Sequence, residues 1–287
     1  MAEPRDVVTK RIASEFKRFP NIGLNQLDTS DLERRDAALA RAIDRAIHRR
    51  WISLSTVIAH ASNRETQGLD APVGAAILVA TAQLLQLDRI PDHAVINCAV
   101  DWVRNQGKRP KATGFVNAVL RKITRLRGTQ TDTGIPGQAN HFLRSNGSAW
   151  ELTEDVFKDG IASQTGFPKT AWEHLVQERG EKVSTTIALG SIAEPPLIVT
   201  LPQMDIPLVD VIPHHDERFG VVQDGVDLTT LFSSSPELRV QDPTSAGSLD
   251  LARDLKPRRI LDVCAGRGTK TKQLRALFPD AMIGATE

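Results

Sequence analysis

Long apolar runs are missing from this sequence. No stretch approaches the roughly 20 consecutive apolar residues that a helix needs to cross a bilayer, so the sequence offers no membrane span. The opening, MAEPRDVVTKRIASEFKRF, lacks the apolar centre of a secretory signal. Cysteine is nearly absent. Cys98 and Cys264 are the two present, too few for a disulfide framework or a four-cysteine zinc site. These absences predict a chain of the reducing cytoplasm that holds no metal. Aromatic residues make up 5%, which leaves few rings to interleave with nucleic-acid bases. Neither sign of charge is in excess, with 36 Lys and Arg against 35 Asp and Glu.

What is present describes a folded chain. Its 287 residues are 40% hydrophobic and 25% charged, which excludes extended disorder and suggests more than one domain. The balanced charge hides an uneven distribution. Arg104, Lys108, Arg109, Lys111, Arg121, Lys122, Arg125 and Arg127 fall in a span with no Asp or Glu, whereas residues 151–159 and 205–227 lean acidic. A local basic block in a neutral protein predicts a surface facing a polyanion. Trp102 and Phe115 are the nearest rings that could stack on bases.

Helical spacing dominates the first part. Val7, Val8, Ile12, Phe16 and Phe19 repeat at helical intervals until Pro20. Asp31 is a candidate cap for a second helix through Leu32, Leu39, Ile43, Ile47 and Trp51. Pro72 opens a third, apolar on a wide face from Val73 to Leu87. Pro91-Asp92 opens a fourth, in which Cys98 is expected as a small buried residue, and Phe115 to Ile123 form a fifth. These predict an all-α domain over residues 1–127. Residues 128–147, rich in Gly, Thr and Pro at the start, predict a linker. Residues 148–235 predict a small α+β domain, helical from Trp150 to Gly190, then with short strands at 197–199, 209–212 and 221–222. His214 and His215, read as strand neighbours, are expected to point apart and to bind no metal.

Residues 236–287 change character again. Residues 258–263 read as a strand, 264–268 as a glycine-containing turn, 269–278 as a helix and 281–286 as a second strand. This is a β–α–β unit, expected to open a Rossmann-like doubly wound sheet. A glycine turn at a helix N-terminus lets a ligand approach the backbone and meet unpaired N–H groups. Glu287, at the tip of the second strand, can accept bonds from both hydroxyls of a ribose. The turn therefore suits a nucleoside cofactor with an anionic end. Spacing excludes a phosphate-binding P-loop and a dinucleotide fingerprint, because Lys270 follows Thr269 and Thr271 stands where a third glycine is needed.

Asp262 to Thr271, D-x-C-A-x-x-G-x-K-T, resembles motif I of the S-adenosylmethionine-dependent RNA cytosine-5 methyltransferases, and Val240 to Ala246 resembles the V-Q-D segment that leads into it. This chain has Gly266-Arg267 where that family has Ala-Pro, Thr269 where it has a second glycine, and Leu197 to Thr200 where it carries an arginine. Residues 84–97 and 111–121 are similar to a NusB-type RNA-binding domain. The order of parts is similar to the Sun/RsmB-type small-subunit ribosomal RNA (cytosine-5) methyltransferases, truncated after motif I.

The resemblance implies S-adenosylmethionine bound by Cys264, Ala265, Gly266, Arg267, Gly268, Thr269, Lys270 and Glu287. It also implies small-subunit ribosomal RNA met by Arg104, Lys108, Arg109, Lys111, Arg121, Lys122 and Arg125. The catalytic cysteines of the family lie in later motifs, so no catalytic residue is expected in this chain, and Cys98 and Cys264 are not assigned that role. With later strands lacking, the last unit is expected to be weakly held. The competing reading is a non-catalytic NusB-like RNA-binding or antitermination-type accessory protein.

Overall fold

The computed structural model describes residues 3–23, 25–87, 90–201, 209–223 and 225–287. Asp88, Arg89, Asp205 and Asp224, which belong to segments read above, lie outside the described residues. The chain divides into two compact units, Met1–Glu194 and Pro195–Glu287.

The first unit is built around helix. α1 (Pro4–Glu15), α2 (Arg34–Ser62), α3 (Ala71–Gln86), α4 (Asp92–Asn105) and α5 (Thr113–Leu126) follow the predicted periodicity. The second begins at Arg34, with Glu33 rather than Asp31 before it. α3 is the central element. Every residue from Val73 to Leu85 is buried, because it packs against α1, α2, α4 and α5 at once. Gly74 admits the Phe16 ring: a Cβ there would lie 2.1 Å from the Phe16 Cζ. α2 kinks at Arg50, whose φ of −124° and ψ of 17° leave the helical region.

The stretch expected as a linker is structured. β1 (Arg127–Thr131), β2 (His141–Leu143) and β3 (Ala149–Leu152) make an antiparallel sheet of order β1-β3-β2. Phe142 and Leu152, with Val156 and Phe157, join the helical core. Burial of Phe142 and the pairing of β1 and β2 with β3 tie 128–147 to the helical core, and the first compact unit runs to Glu194. Trp150 lies in a strand, and helix resumes only at α6 (Ile161–Thr165), followed by α7 (Lys169–Arg179) and α8 (Glu181–Ile192). The expected 148–235 domain is thus split, its first part packing with the helical core.

The second unit is mixed α/β with small sheets. β4 (Ile198–Thr200), β5 (Val211–Pro213), β6 (Phe219–Val222) and β7 (Arg239–Val240) form an antiparallel sheet of order β5-β6-β4-β7, with α9 (Leu228–Ser234) before its last strand. Val199, Val222, Leu231 and Leu238 make its core. α10 (Pro243–Gly247) follows. β8 (Arg259–Val263) and β9 (Met282–Thr286) then pair in parallel, joined by α11 (Thr269–Leu277). Leu274, Phe278 and Ala281 are buried, with Leu277 partly buried against them. Leu261, Val263 and Met282 are 64%, 64% and 70% exposed, so part of this small sheet is uncovered.

Candidate functional site

The turn after β8 owes its shape to three left-handed residues. Cys264, Gly266 and Gly268 have φ of 66°, 54° and 74°. Glycine takes that region freely, whereas a side chain such as that of Cys264 does so under strain. Thr269 does not share this conformation. It is the first residue of α11, so its Cβ does not oppose the turn. The Ala265 N–H donates to the Thr286 carbonyl at 2.8 Å, and the Gly268 N–H to the Ala265 carbonyl at 2.9 Å.

Two features leave this turn open. Gly268 is the N-cap of α11 and no side chain caps the helix, so its first N–H groups have no side-chain acceptor. A Cβ built on Gly266 would meet nothing within 4 Å. Arg267 and Lys270 are exposed, as is Cys264, and Ala265 is half-buried. Val263 pairs with Thr286, so Glu287 is the first residue past β9, beside the turn at the same strand end. Asp262 is held by the Thr271 hydroxyl, which donates to its carboxylate across the first turn of α11.

The V-Q-D segment is tied into the same unit. The Asp242 carboxylate accepts from the Ser245 N–H at 3.1 Å, with Pro243 in the first turn of α10. The buried Gln241 donates its side-chain amide to Gln273 on α11, and Gln273 donates to the Ala246 carbonyl at 2.9 Å. Spacing along the sequence could not reveal this link, because its partners are 32 positions apart.

The basic block is partly neutralised by acids from outside its span. Arg104 pairs with Asp101 at 3.0 Å, Arg109 with Asp70 at 2.8 Å and Arg127 with Asp92 at 2.7 Å. Lys108, Lys111, Arg121 and Arg125 are exposed; Lys122 is half-buried and donates to the His60 carbonyl at 3.4 Å. Arg121 reaches the Asn117 side chain at 3.1 Å on the same helix.

The aromatic candidates are engaged within the fold. Trp102 is buried, and Phe115 is half-buried under the Arg64 guanidinium, 5.1 Å away. Two further expectations are corrected. Cys98 is exposed, because the buried face of α4 runs through Val95, Ile96, Ala99, Trp102 and Val103 and leaves it at the rim. His214 and His215 follow β5 instead of lying in it, and their rings meet at 3.8 Å. Strand alternation therefore does not govern them. Among the described residues, no three His, Cys, Asp or Glu gather as metal ligands, and no helix is long and apolar enough to cross a membrane.

Comparison with known proteins finds a family match at the N-terminus and relatives over most of the chain. Residues 5–125 match the NusB family model. Over 263 residues the chain is 27% identical to ribosomal RNA small subunit methyltransferase B of Xanthomonas campestris pv. campestris, covering 88% of this chain and 53% of that protein. It is 26% identical to the protein of the same name from Serratia proteamaculans, covering 74% of this chain and 46% of that one. The chain thus spans about half the length of the curated relatives it matches. Among solved structures, the crystal structure of PH0851 aligns with a TM-score of 0.55 at 15% identity, over 100% of this chain and 64% of that one, a likeness of fold. The N-terminal helical region is a NusB-type domain. The chain carrying it is homologous to Sun-type ribosomal RNA small subunit methyltransferase B.

Proposed function

We propose that this chain serves the S-adenosylmethionine-dependent methylation of cytosine C5 in small-subunit ribosomal RNA. In this reading β8, α11 and β9 are a Rossmann-like cofactor unit, and the NusB-type domain faces the RNA. One observation carries the proposal. The 264–268 turn and Glu287 leave two neighbouring parallel strands at the same carboxyl end. In open α/β sheets, ligands bind outside that end.

The residues present fit the cofactor. The uncapped N-terminus of α11 suits the methionine carboxylate, through its free N–H groups and its partial positive charge. Gly266 and Gly268 allow close backbone approach, and the space beside Gly266 is open. Cys264 to Lys270 would hold the methionine end, and the Glu287 carboxylate would accept from the ribose hydroxyls. When bound, the cofactor supplies an electrophilic methyl group on its sulfonium. Arg104, Lys108, Arg109, Lys111, Arg121, Lys122 and Arg125 would meet phosphates of the RNA. Methylation at C5 also needs a thiolate beside the base, and neither Cys98 on α4 nor Cys264 in the cofactor turn is assigned to it.

Calorimetry with S-adenosylmethionine tests the cofactor site. Micromolar binding that is lost in Glu287→Ala supports the proposal. RNA binding with no cofactor binding instead supports the non-catalytic accessory reading.

A further inference from the structure

The first half of α2 turns a face of arginine outward. Between Arg34 and Arg50 the exposed residues are Arg34, Arg35, Ala38, Arg41, Arg45 and Arg49, with no acid among them. Asp36 and Asp44 are half-buried on other faces of the helix, and Asp44 lies 3.5 Å from Arg11 of α1. Arg41, Arg45 and Arg49 are spaced four apart and so form one stripe along the helix. At the α-helical rise the stripe is about 12 Å long.

Like charges four apart on a helix repel, so this arrangement weakens α2. A face turned only to water is served better by alternating signs. The fold does not neutralise the stripe either. Among the described residues, Arg45 and Arg49 have no ion pair or side-chain hydrogen bond, and Arg41 donates to the Thr29 hydroxyl at 2.8 Å. Glu194 lines a cavity with Arg45 and Arg49 but pairs with neither. Arg104, Arg109 and Arg127, by contrast, each meet a carboxylate. The stripe is also separate from the basic block. Lys122 of α5 reaches the His60 carbonyl, about 16 Å further along α2 than Arg49.

We propose that Arg41, Arg45 and Arg49 form a second RNA surface, which binds the phosphate backbone of one strand. Successive cations of the stripe rise by about 6 Å along the helix, close to the separation of successive phosphates. Each guanidinium can therefore meet its own phosphate through charge-assisted hydrogen bonds. An acidic protein face lacks so regular a spacing. Phosphate contacts of this kind add affinity and fix orientation without selecting sequence. The inference rests on the reading that this chain meets RNA, and it adds a face that the basic block does not include.

The test is binding of a fluorescein-labelled RNA stem-loop to the 287-residue chain, read by anisotropy across a salt series. The triple variant Arg41→Gln, Arg45→Gln and Arg49→Gln should reduce the slope of log affinity against log salt by about 2–3, one phosphate contact for each arginine. Lys169→Gln, Arg179→Gln and Lys182→Gln remove the same charge from α7 and α8 and should leave the slope unchanged. All six side chains are exposed, so both variants keep the core. Equal slopes in the two triple variants overturn the proposal. Removing Arg121 and Arg125 of α5 separates the inference from the reading beneath it. A slope lowered there but unchanged in the α2 variant removes α2 alone from the RNA surface, and no RNA binding by the unaltered chain removes both.

Discussion

Gln241 and Gln273 are joined side chain to side chain inside the second unit, linking the segment before α10 to the helix that follows the 264–268 turn. Gln273 passes the bond on to the Ala246 carbonyl. Replacing one glutamine leaves the other's polar atoms buried without a partner, which costs about 1–3 kcal/mol. Gln241→Leu and Gln273→Leu should each lower the unfolding free energy of the second unit by that amount. The double variant should lose less than the sum of the two, and denaturant unfolding of all three variants measures the difference.

Gly74 should be intolerant of any side chain. In Gly74→Ala the new methyl would meet the buried Phe16 ring, with Cζ at 2.1 Å and Cε1 at 2.5 Å. Overpacking of this kind costs about 1–3 kcal/mol. Gly68→Ala, where a Cβ meets nothing within 4 Å, is the matched control and should leave the melting temperature unchanged or slightly raised.

RNA affinity should depend on salt through α5. Arg121 and Arg125 stand one helical turn apart and are exposed. Under the proposed function, removing both should lower the slope of log affinity against log salt by about 1–2. Arg109→Ala should change it less, because Asp70 already neutralises that guanidinium at 2.8 Å. Fluorescence anisotropy across a salt series reads the slope, and equal slopes in all variants would remove the basic block from the RNA surface.

Acid should weaken the second unit at an identified pair. The hydrogen bonds from Arg218 hold the Asp216 carboxyl down at about 2, from its ordinary value of 3.8. A lowered carboxyl contributes stability at pH above its unfolded value, and that contribution is lost as pH falls through the folded one. The stability difference between the wild type and Asp216→Asn should therefore be constant above about pH 4 and shrink to nothing near pH 2. The group is exposed, so the difference should also fall with added salt. Melting curves across that range check both.

Limited proteolysis should cut residues 240–287 before the first unit. The core around α11 is small, with Leu274, Phe278 and Ala281 buried, while Leu261 and Val263 stand exposed on β8. Equal resistance in both regions would contradict the expectation that the last unit is weakly held.

Local chemistry made much of this protein legible. The helices α1 to α5 follow from apolar residues at helical spacing, because helical hydrogen bonds join residues four apart. The turn after β8 could be read for the same reason: its glycines, its helix start and its flanking strands all lie within one short segment. By itself, then, the sequence determined the first five helices and the strand–turn–helix–strand order of residues 259–286.

The tertiary structure decided what depends on distant partners. Residues 128–147 lack a strand signal of their own, yet they pair with β3 and bury Phe142 in the helical core. Arg109 meets Asp70 from 39 positions away, so a span without acids is not a surface without them. Arg50, one cation among many in α2, became a buried group with two unpartnered donors only when Gln164 and Phe142 closed over it. Strand pairing, burial and charge compensation all join residues far apart in the chain, and only the folded backbone brings those together.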